Sequence, residues 1–315
     1  MSPRFSVVLP CRGRPRLLAR ALASLDRQSF RDFETIVVDD GSPEDLAPVT
    51  TAFPRLAVRL LRSAPRGANH ARNLGTDAAE ASRIAYLDSD DAFLPERLAL
   101  AARDIAEAPD ADLHASAGYV RRRGGTLQRR PGRAIAPDED ISDFYFASGE
   151  RFLTSSLIVR TSAARAVRWD EGLRKVQDPD FVIRLVRAGY RLSYAPDPAV
   201  VLYDDLQAGR ISDSVALDDM RDWLARSGHL LTPRARAGFQ VYALAHEAAR
   251  LSRLRGLGQI AAAAPRAPWR LTAKALYRRV VPGALFKATG RLAPTARRDG
   301  EIADYLRSLE PAVTG

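Results

Sequence analysis

The stretch Arg83-Ile84-Ala85-Tyr86-Leu87-Asp88-Ser89-Asp90-Asp91 decides the fold. A short apolar run closed abruptly by carboxylates reads as a buried strand that delivers acids to the edge of a sheet. Working outward, the same pattern recurs. Phe5 to Pro10 is an apolar run ending in a breaker. Phe33 to Val38 is a β-branched run closed by Asp39-Asp40-Gly41-Ser42, and Leu56 to Leu61 alternates as a further strand. Between them lie helical segments. Leu17 to Gln28 carries Leu17, Leu18, Ala21, Leu22 and Leu25 at helical spacing, and Glu44 to Phe53 and Ala68 to Ala81 follow. Pro95 opens another helix after the acids. Strand–helix–strand alternation predicts an α/β fold with a mostly parallel sheet flanked by helices. Open sheets of this kind bind ligands at the carboxyl ends of their strands, where Pro10, Asp39, Asp40 and Asp88 to Asp91 all fall.

The middle of the chain is less regular. Leu113 to Arg123 and Phe152 to Val159 read as strands around a Gly/Arg/Pro-rich loop from Arg121 to Pro137. Ser162 to Val167 and Asp180 to Ala188 read as helices, the second stopped by Gly189. Tyr190 to Tyr194 and Val200 to Tyr203 read as two short strands. Beyond Leu217 the pattern is helical, broken at Gly228, Pro233, Pro265, Pro282 and Gly290.

The net charge of the 315 residues is +10. Residues 1–220 carry 31 basic and 32 acidic side chains, whereas residues 221–315 carry 17 and 6. The positive excess therefore belongs to the C-terminal third, and it gives no reason to read the first part as a nucleic-acid binder. This division predicts a catalytic domain at 1–220 and a basic, mainly helical region at 221–315. A single cysteine, Cys11, excludes an intrachain disulfide. The N-terminus lacks the apolar stretch of a secretory signal. The longest uncharged run near the C-terminus, Gly256 to Pro265, is about half of the roughly 20 residues a spanning helix needs. A cytoplasmic protein is expected.

Four constellations carry candidate chemistry. Asp88-Ser89-Asp90 places two carboxylates at a strand end, a pattern that binds a hard divalent cation through oxygen or merely solvates a turn. Asp39 and Asp40 can accept bonds from a base or a ribose, or can build an Asp-Gly turn and cap a helix. Gly67 precedes a helix start that favours anions, and Arg72 in that helix offers a permanent cation. Asp178 in Gln177-Asp178-Pro179-Asp180-Phe181 reads either as a helix cap or as a general base.

Taken in order, these segments resemble the family-2 inverting glycosyltransferases of the GT-A fold. The resemblance covers about Phe5 to Tyr203 and includes Leu94-Pro95-Glu96-Arg97-Leu98 and Trp169-Asp170-Glu171-Gly172-Leu173. It implies a GT-A-type, Rossmann-like sheet with a C-terminal helical extension. It also implies transfer of one sugar from a nucleotide-diphosphate sugar, by family default a UDP-sugar, to a hydroxyl of a glycan or lipid-linked acceptor in polysaccharide assembly. The donor residues implied are Pro10, Arg12, Asp39, Asp40, Arg72, Asp88 and Ser89. The metal residues, for Mg²⁺ or Mn²⁺, are Asp90 as direct ligand and Asp88 facing the ribose or a metal-bound water. Asp178 is the implied base, and a nearby acid such as Asp180 would raise its pKa.

Two departures stand out: Gln177 replaces the glutamate often found before the catalytic aspartate, and Pro179 follows it. Arg165-Ala166-Val167-Arg168-Trp169 mimics a signature of processive synthases but precedes Asp178 instead of following it. Two rival functions are a sugar-phosphate nucleotidylyltransferase, whose Gly-rich, basic N-terminal loop is missing, and a non-catalytic nucleotide-sugar-binding scaffold. His70, His114, His229 and His246 lack metal-ligand spacing, and Cys11 reads as a packing residue. Asp204, Asp205 and Arg210-Ile211-Ser212 line the acceptor or diphosphate pocket or form a plain loop. Pro268 to Val281 mixes Trp269, Tyr277, Arg and Lys in the manner of an interfacial helix on an anionic membrane, or of a basic helix packed on the catalytic domain. The first reading predicts a peripheral enzyme on the inner face of the plasma membrane. No nucleic-acid-binding motif accompanies the charge.

Overall fold

A computed structural model describes residues 3–122, 125–204, 217–280 and 299–310. Asp205 and Arg210-Ile211-Ser212 lie outside these residues, as do the breaks at Pro282 and Gly290. The first strands are β1 (Phe5–Cys11), β2 (Phe33–Asp40), β3 (Val58–Ser63) and β4 (Arg83–Tyr86). They interleave with helices α1 (Pro15–Asp26), α2 (Ala47–Thr51) and α3 (Ala68–Ala78). After β4 come β5 (Asp91–Phe93), α4 (Arg97–Glu107), β6 (Leu113–Arg121), β7 (Leu127–Arg130) and α5 (Ile141–Phe146). The catalytic half ends with β8 (Leu157–Arg160), α6 (Thr161–Val167), α7 (Gln177–Arg187) and β9 (Leu192–Tyr203). The strands form one nine-stranded sheet in the order β3-β2-β1-β4-β8-β6-β9-β5, with β7 beside β6. Strands β1 to β4 are mutually parallel where they pair, as alternation with helices requires. Strands β5, β7 and β8 run against their neighbours.

The apolar runs are continuous because both faces of the sheet are covered. Val8, Ile36, Val38, Ile84 and Tyr86 face a core shared with Ala71, Trp169 and Phe181. Their strand neighbours Val7, Leu9, Val37 and Ala85 face Leu18, Leu22, Leu25 and Leu98 on the other side.

Four local expectations are corrected. Phe152 to Val159 is not one strand. Thr154–Ser156 is a 3₁₀ turn, held by reciprocal bonds between Leu153 and the Ser156 hydroxyl, and only Leu157 onward pairs in the sheet. Consecutive Ser and Thr hydroxyls compete with a strand ladder in this way. The loop from Arg121 to Pro137 contains β7. The two short strands after Gly189 are one long strand, β9, whose pairing to β6 slips near Ser116 to Tyr119, opposite Pro196 and Pro198. Finally, the helix expected from Asp180 starts at Gln177, so Asp178 lies in its first turn instead of ahead of it. Pro179 is accommodated there because first-turn N–H groups need no helical partner.

The C-terminal region consists of α8 (Leu217–Ser227), α9 (Pro233–Phe239), a π turn (Gln240–Leu244), α10 (Ala245–Leu251), α11 (Arg253–Ala263), α12 (Trp269–Val280) and α13 (Asp299–Ser308). Helix α8 runs straight through residue 220. Trp223 and Phe239 join the core that holds Trp169 and Phe181. Among the described residues no helix is long and apolar enough to cross a membrane.

Candidate active site

A cavity of about 460 Å³ opens at the carboxyl ends of β1, β2 and β4. Of the residues expected to bind a donor or metal, it gathers Pro10, Arg12, Asp40, Arg72, Asp88, Ser89 and Asp90. Asp39 is not on its wall. It is buried behind it, where it accepts the Ser42 N–H (2.7 Å) and sits 3.5 Å from the Arg62 guanidinium. Asp40 reaches the wall but its carboxylate accepts the backbone N–H groups of Arg66 (2.8 Å) and Gly67 (2.9 Å), so it also fixes the entry to α3.

The acid turn is tied down from three directions. The Asp91 N–H donates to the Asp88 carbonyl (2.9 Å), closing a β-turn over residues 88–91. Arg20, 1% exposed and stacked 3.5 Å over the Tyr203 ring, donates to the Asp90 carbonyl (2.8 Å). Ser155 accepts the Asp88 N–H (3.1 Å) and donates to the Asp91 carboxylate (2.6 Å). Arg14, in the left-handed region at φ 56°, brings its guanidinium 3.8 Å from the Asp90 carboxylate.

Arg72 links the acid turn to α7. Its guanidinium donates to Asp88 (2.6 Å), to the Gln177 side-chain carbonyl (3.1 Å) and to Asn69 (2.9 Å), and it lies 4.7 Å over the Trp169 ring. Trp169 in turn stacks on Phe181 at 4.1 Å. Asn73 makes a reciprocal pair with the Trp169 backbone, 2.9 Å each way, and Asn69 donates to the Asp170 carbonyl (2.7 Å). Two segments about 100 residues apart, Gly67 to Gly75 and Trp169 to Gln177, thus form one unit. Gln177 suits it because an amide both accepts from Arg72 and donates to the Leu173 carbonyl (2.8 Å), which a carboxylate cannot do.

Asp178 stands beside this unit and accepts a hydrogen bond from the Thr154 hydroxyl. Burial pushes its pKa up. Arg72 and the Thr154 bond oppose that shift, and the neighbouring Asp88 charge reinforces it. Asp180, expected to supply that like charge, faces away and is paired with Arg184 (2.7 Å) and the Trp223 indole N–H (2.8 Å). Val176, immediately before α7, holds φ 63°, which is costly for a β-branched residue. Cys11 is buried and its thiol is pushed up to about 12, chiefly by burial, so it stays protonated. Arg14, Arg20, Thr154 and Ser155 were not singled out from sequence. The available signals were a cation on the apolar face of α1 and three successive hydroxyls in an apparent strand.

Two carboxylates at one cavity, with Asp88 also engaged by Arg72, fit a cation whose other ligands are diphosphate oxygens and water. Among the described residues no group of three or more His, Cys, Asp or Glu forms a protein-only cage.

A mostly parallel sheet flanked by helices, with a cavity and an acid-x-acid turn at its carboxyl edge, defines a GT-A type of fold. Residues 6–170 match Glycosyl transferase family 2, and the chain belongs to that family. It is similar to the amylovoran biosynthesis glycosyltransferase AmsB of Erwinia amylovora, 28% identical over 62% of this chain and 67% of AmsB. It is also similar to the GalNAc(5)-diNAcBac-PP-undecaprenol beta-1,3-glucosyltransferase of Campylobacter jejuni, 31% identical over 48% of this chain and half of that protein. The fold is shared with the mannosyltransferase PcManGT of Pyrobaculum calidifontis, solved with GDP-Man and Mn²⁺ (TM-score 0.54, 18% identity, 98% of this chain and 85% of that one). By that membership the chain is a glycosyltransferase.

Proposed function

We propose that the protein transfers a single sugar, with inversion, from a nucleotide-diphosphate sugar to an acceptor hydroxyl, with a UDP-sugar the favoured donor. The carrying observation is the raised, Thr154-bound carboxylate of Asp178 beside an acid turn that shares Arg72 with it. Pro10, Arg12, Asp40, Ser89 and Asp88 bind the base, ribose and phosphates. Asp39 supports them through the Ser42 turn, and Arg72 supplies positive charge. Asp90, with Asp88, holds Mg²⁺ or Mn²⁺, which when bound offsets charge on the departing diphosphate.

Asp178 takes the acceptor proton as the hydroxyl oxygen forms its bond to the anomeric carbon. The bond from that carbon to the diphosphate oxygen breaks on the opposite face, and the nucleotide diphosphate leaves with the electron pair. One displacement inverts the centre. The name of the Campylobacter relative supports a lipid-diphosphate-linked acceptor, and that of AmsB an exopolysaccharide. A panel of UDP-, GDP- and dTDP-sugars, with and without Mn²⁺, tests the donor by thermal shift, since only a ligand of the folded state raises its apparent stability. Transfer with the selected donor should then be lost in Asp90→Ala and in Asp178→Asn. Full transfer by both variants would remove the site assignment.

A peripheral location on an anionic inner membrane face belongs to the same proposal. Trp269 is 73% exposed at the start of α12, among Arg266, Arg270 and Lys274. Binding of the full chain to anionic liposomes should weaken with salt and fall in Trp269→Ala. Salt-insensitive or unchanged binding would refute it.

A further inference from the structure

The π turn at Gln240–Leu244 presents Tyr242 to α12. The Arg278 guanidinium donates to the Tyr242 hydroxyl (3.0 Å), and the Lys274 ammonium lies 5.8 Å from the centre of its ring. Single-turn π segments of this kind recur at functional sites. Arg151, an exposed residue, lies three positions before Thr154, whose hydroxyl bonds Asp178. Its charge interacts with both Tyr242 and Asp178.

Among the described residues neither Arg151 nor Lys274 makes an ion pair or a hydrogen bond. Burial would raise the Tyr242 phenol, yet Arg278, Lys274 and Arg151 together bring it below its ordinary value. Lys274 also lines a cavity of about 720 Å³ whose other charged walls, Arg133, Arg234, Arg266 and Arg270, are all basic. Like charges crowded in this way repel one another, and a multivalent anion relieves that repulsion.

We propose that Lys274 and Arg278, held at Tyr242, together with Arg151, three positions before the Thr154 that bonds Asp178, bind a phosphate or diphosphate group carried by the acceptor. This rests on the reading of Asp178 as the base. None of Arg151, Tyr242, Lys274 and Arg278 lines the donor cavity, so an acceptor anchored on them by its phosphate would leave that cavity to the donor and offer a hydroxyl to Asp178. A carboxylate would satisfy one guanidinium fork. Three cations and a phenol match the larger charge and the several oxygens of a phosphate. The bonds made and broken are those of the transfer above, and the cluster changes only where the acceptor sits.

The test uses the full chain in EDTA, titrated with inorganic pyrophosphate and with farnesyl diphosphate. Both should bind the wild type. Affinity should fall about tenfold or more in Arg151→Gln and in Lys274→Gln, the loss of one charge-assisted contact. It should hold in Arg12→Ala, which alters the donor side. Tighter binding of farnesyl diphosphate supports a lipid-linked source, and equal binding supports a soluble phosphorylated glycan. Lys274 is exposed, so Lys274→Gln carries the test if Arg151→Gln fails to fold. Unchanged affinity in both glutamine variants, or no binding by the wild type at millimolar probe, overturns the proposal. Donor binding with Mn²⁺ is measured on the two glutamine variants and should be unaltered. Its absence in the wild type would instead overturn the donor reading.

Discussion

Asp178 shows how opposing influences on one side chain set a working range. Burial and the Asp88 charge favour its neutral form, while Arg72 and the Thr154 hydroxyl favour the carboxylate. Only the carboxylate can accept a proton, so transfer falls as pH is lowered through a midpoint above the ordinary aspartate value. Thr154→Val removes a bond made to the charged form. Its acid limb in kcat/KM should therefore move to higher pH, with less effect on the rate above it. A limb that stays in place, or moves down, would show that Thr154 does not act on Asp178. Asp178→Asn, which cannot accept the proton, should lower kcat by about 10²–10⁴-fold with donor binding retained. Gln177 carries a smaller lesson. The amide holds Arg72 without adding a second negative charge beside Asp178, so Gln177→Glu should raise that same midpoint.

At the scale of elements, the close fit of α3 to the sheet is what delivers Arg72 and Asn73 to Trp169. Gly75 makes this approach possible, since a Cβ there would stand 2.4 Å from a Val8 methyl. Gly75→Val should cost about 1–3 kcal/mol through overpacking. The denaturation midpoint should fall with the m-value unchanged, and a variant as stable as the wild type would mean that α3 can shift freely. The strands β1, β2 and β4 were legible in the sequence because burial on both faces makes each an unbroken apolar run. Their ends were legible for the same reason, which is why the pattern alone places Asp40, Asp88 and Asp90 at the carboxyl edge of the sheet. Phe152 to Val159 was misread because burial alone does not distinguish a strand from a 3₁₀ turn whose hydroxyls serve the acids. Ser155 and Thr154 act on Asp91, 64 residues away, and on Asp178, 24 away, and local pattern carries no trace of either pairing. The cluster at Tyr242 was least legible, since Tyr242 and Arg278, 36 residues apart, meet only through tertiary packing.

At the scale of the whole molecule, the abrupt change in charge near residue 220 suggested a boundary between a neutral domain and a basic appendage. Packing across that point is continuous. Helix α8 spans it, and Trp223 donates to the buried Asp180 and contacts Phe146 and Phe239. Lys175 pairs with the buried Glu247 (3.4 Å), and Arg174 with Asp219. Farther on, Tyr305 of α13 donates to the Phe93 carbonyl (2.8 Å) and Leu306 and Leu309 cover Ala92 and Tyr203, next to the acid turn. A chain ending at residue 220 would lose Trp223 and Phe239, each worth about 3–5 kcal/mol when a buried aromatic is removed. It would also leave Asp180 buried with one fewer partner. These losses rival the roughly 5–15 kcal/mol that holds a whole domain together. The 1–220 fragment should therefore show no cooperative unfolding transition and a collapsed near-ultraviolet circular dichroism signal, whereas the full chain shows both transition and signal. A fragment that unfolds cooperatively at the full-length midpoint would make the basic region an independent module. Charge would then mark a boundary of folding as well as of composition.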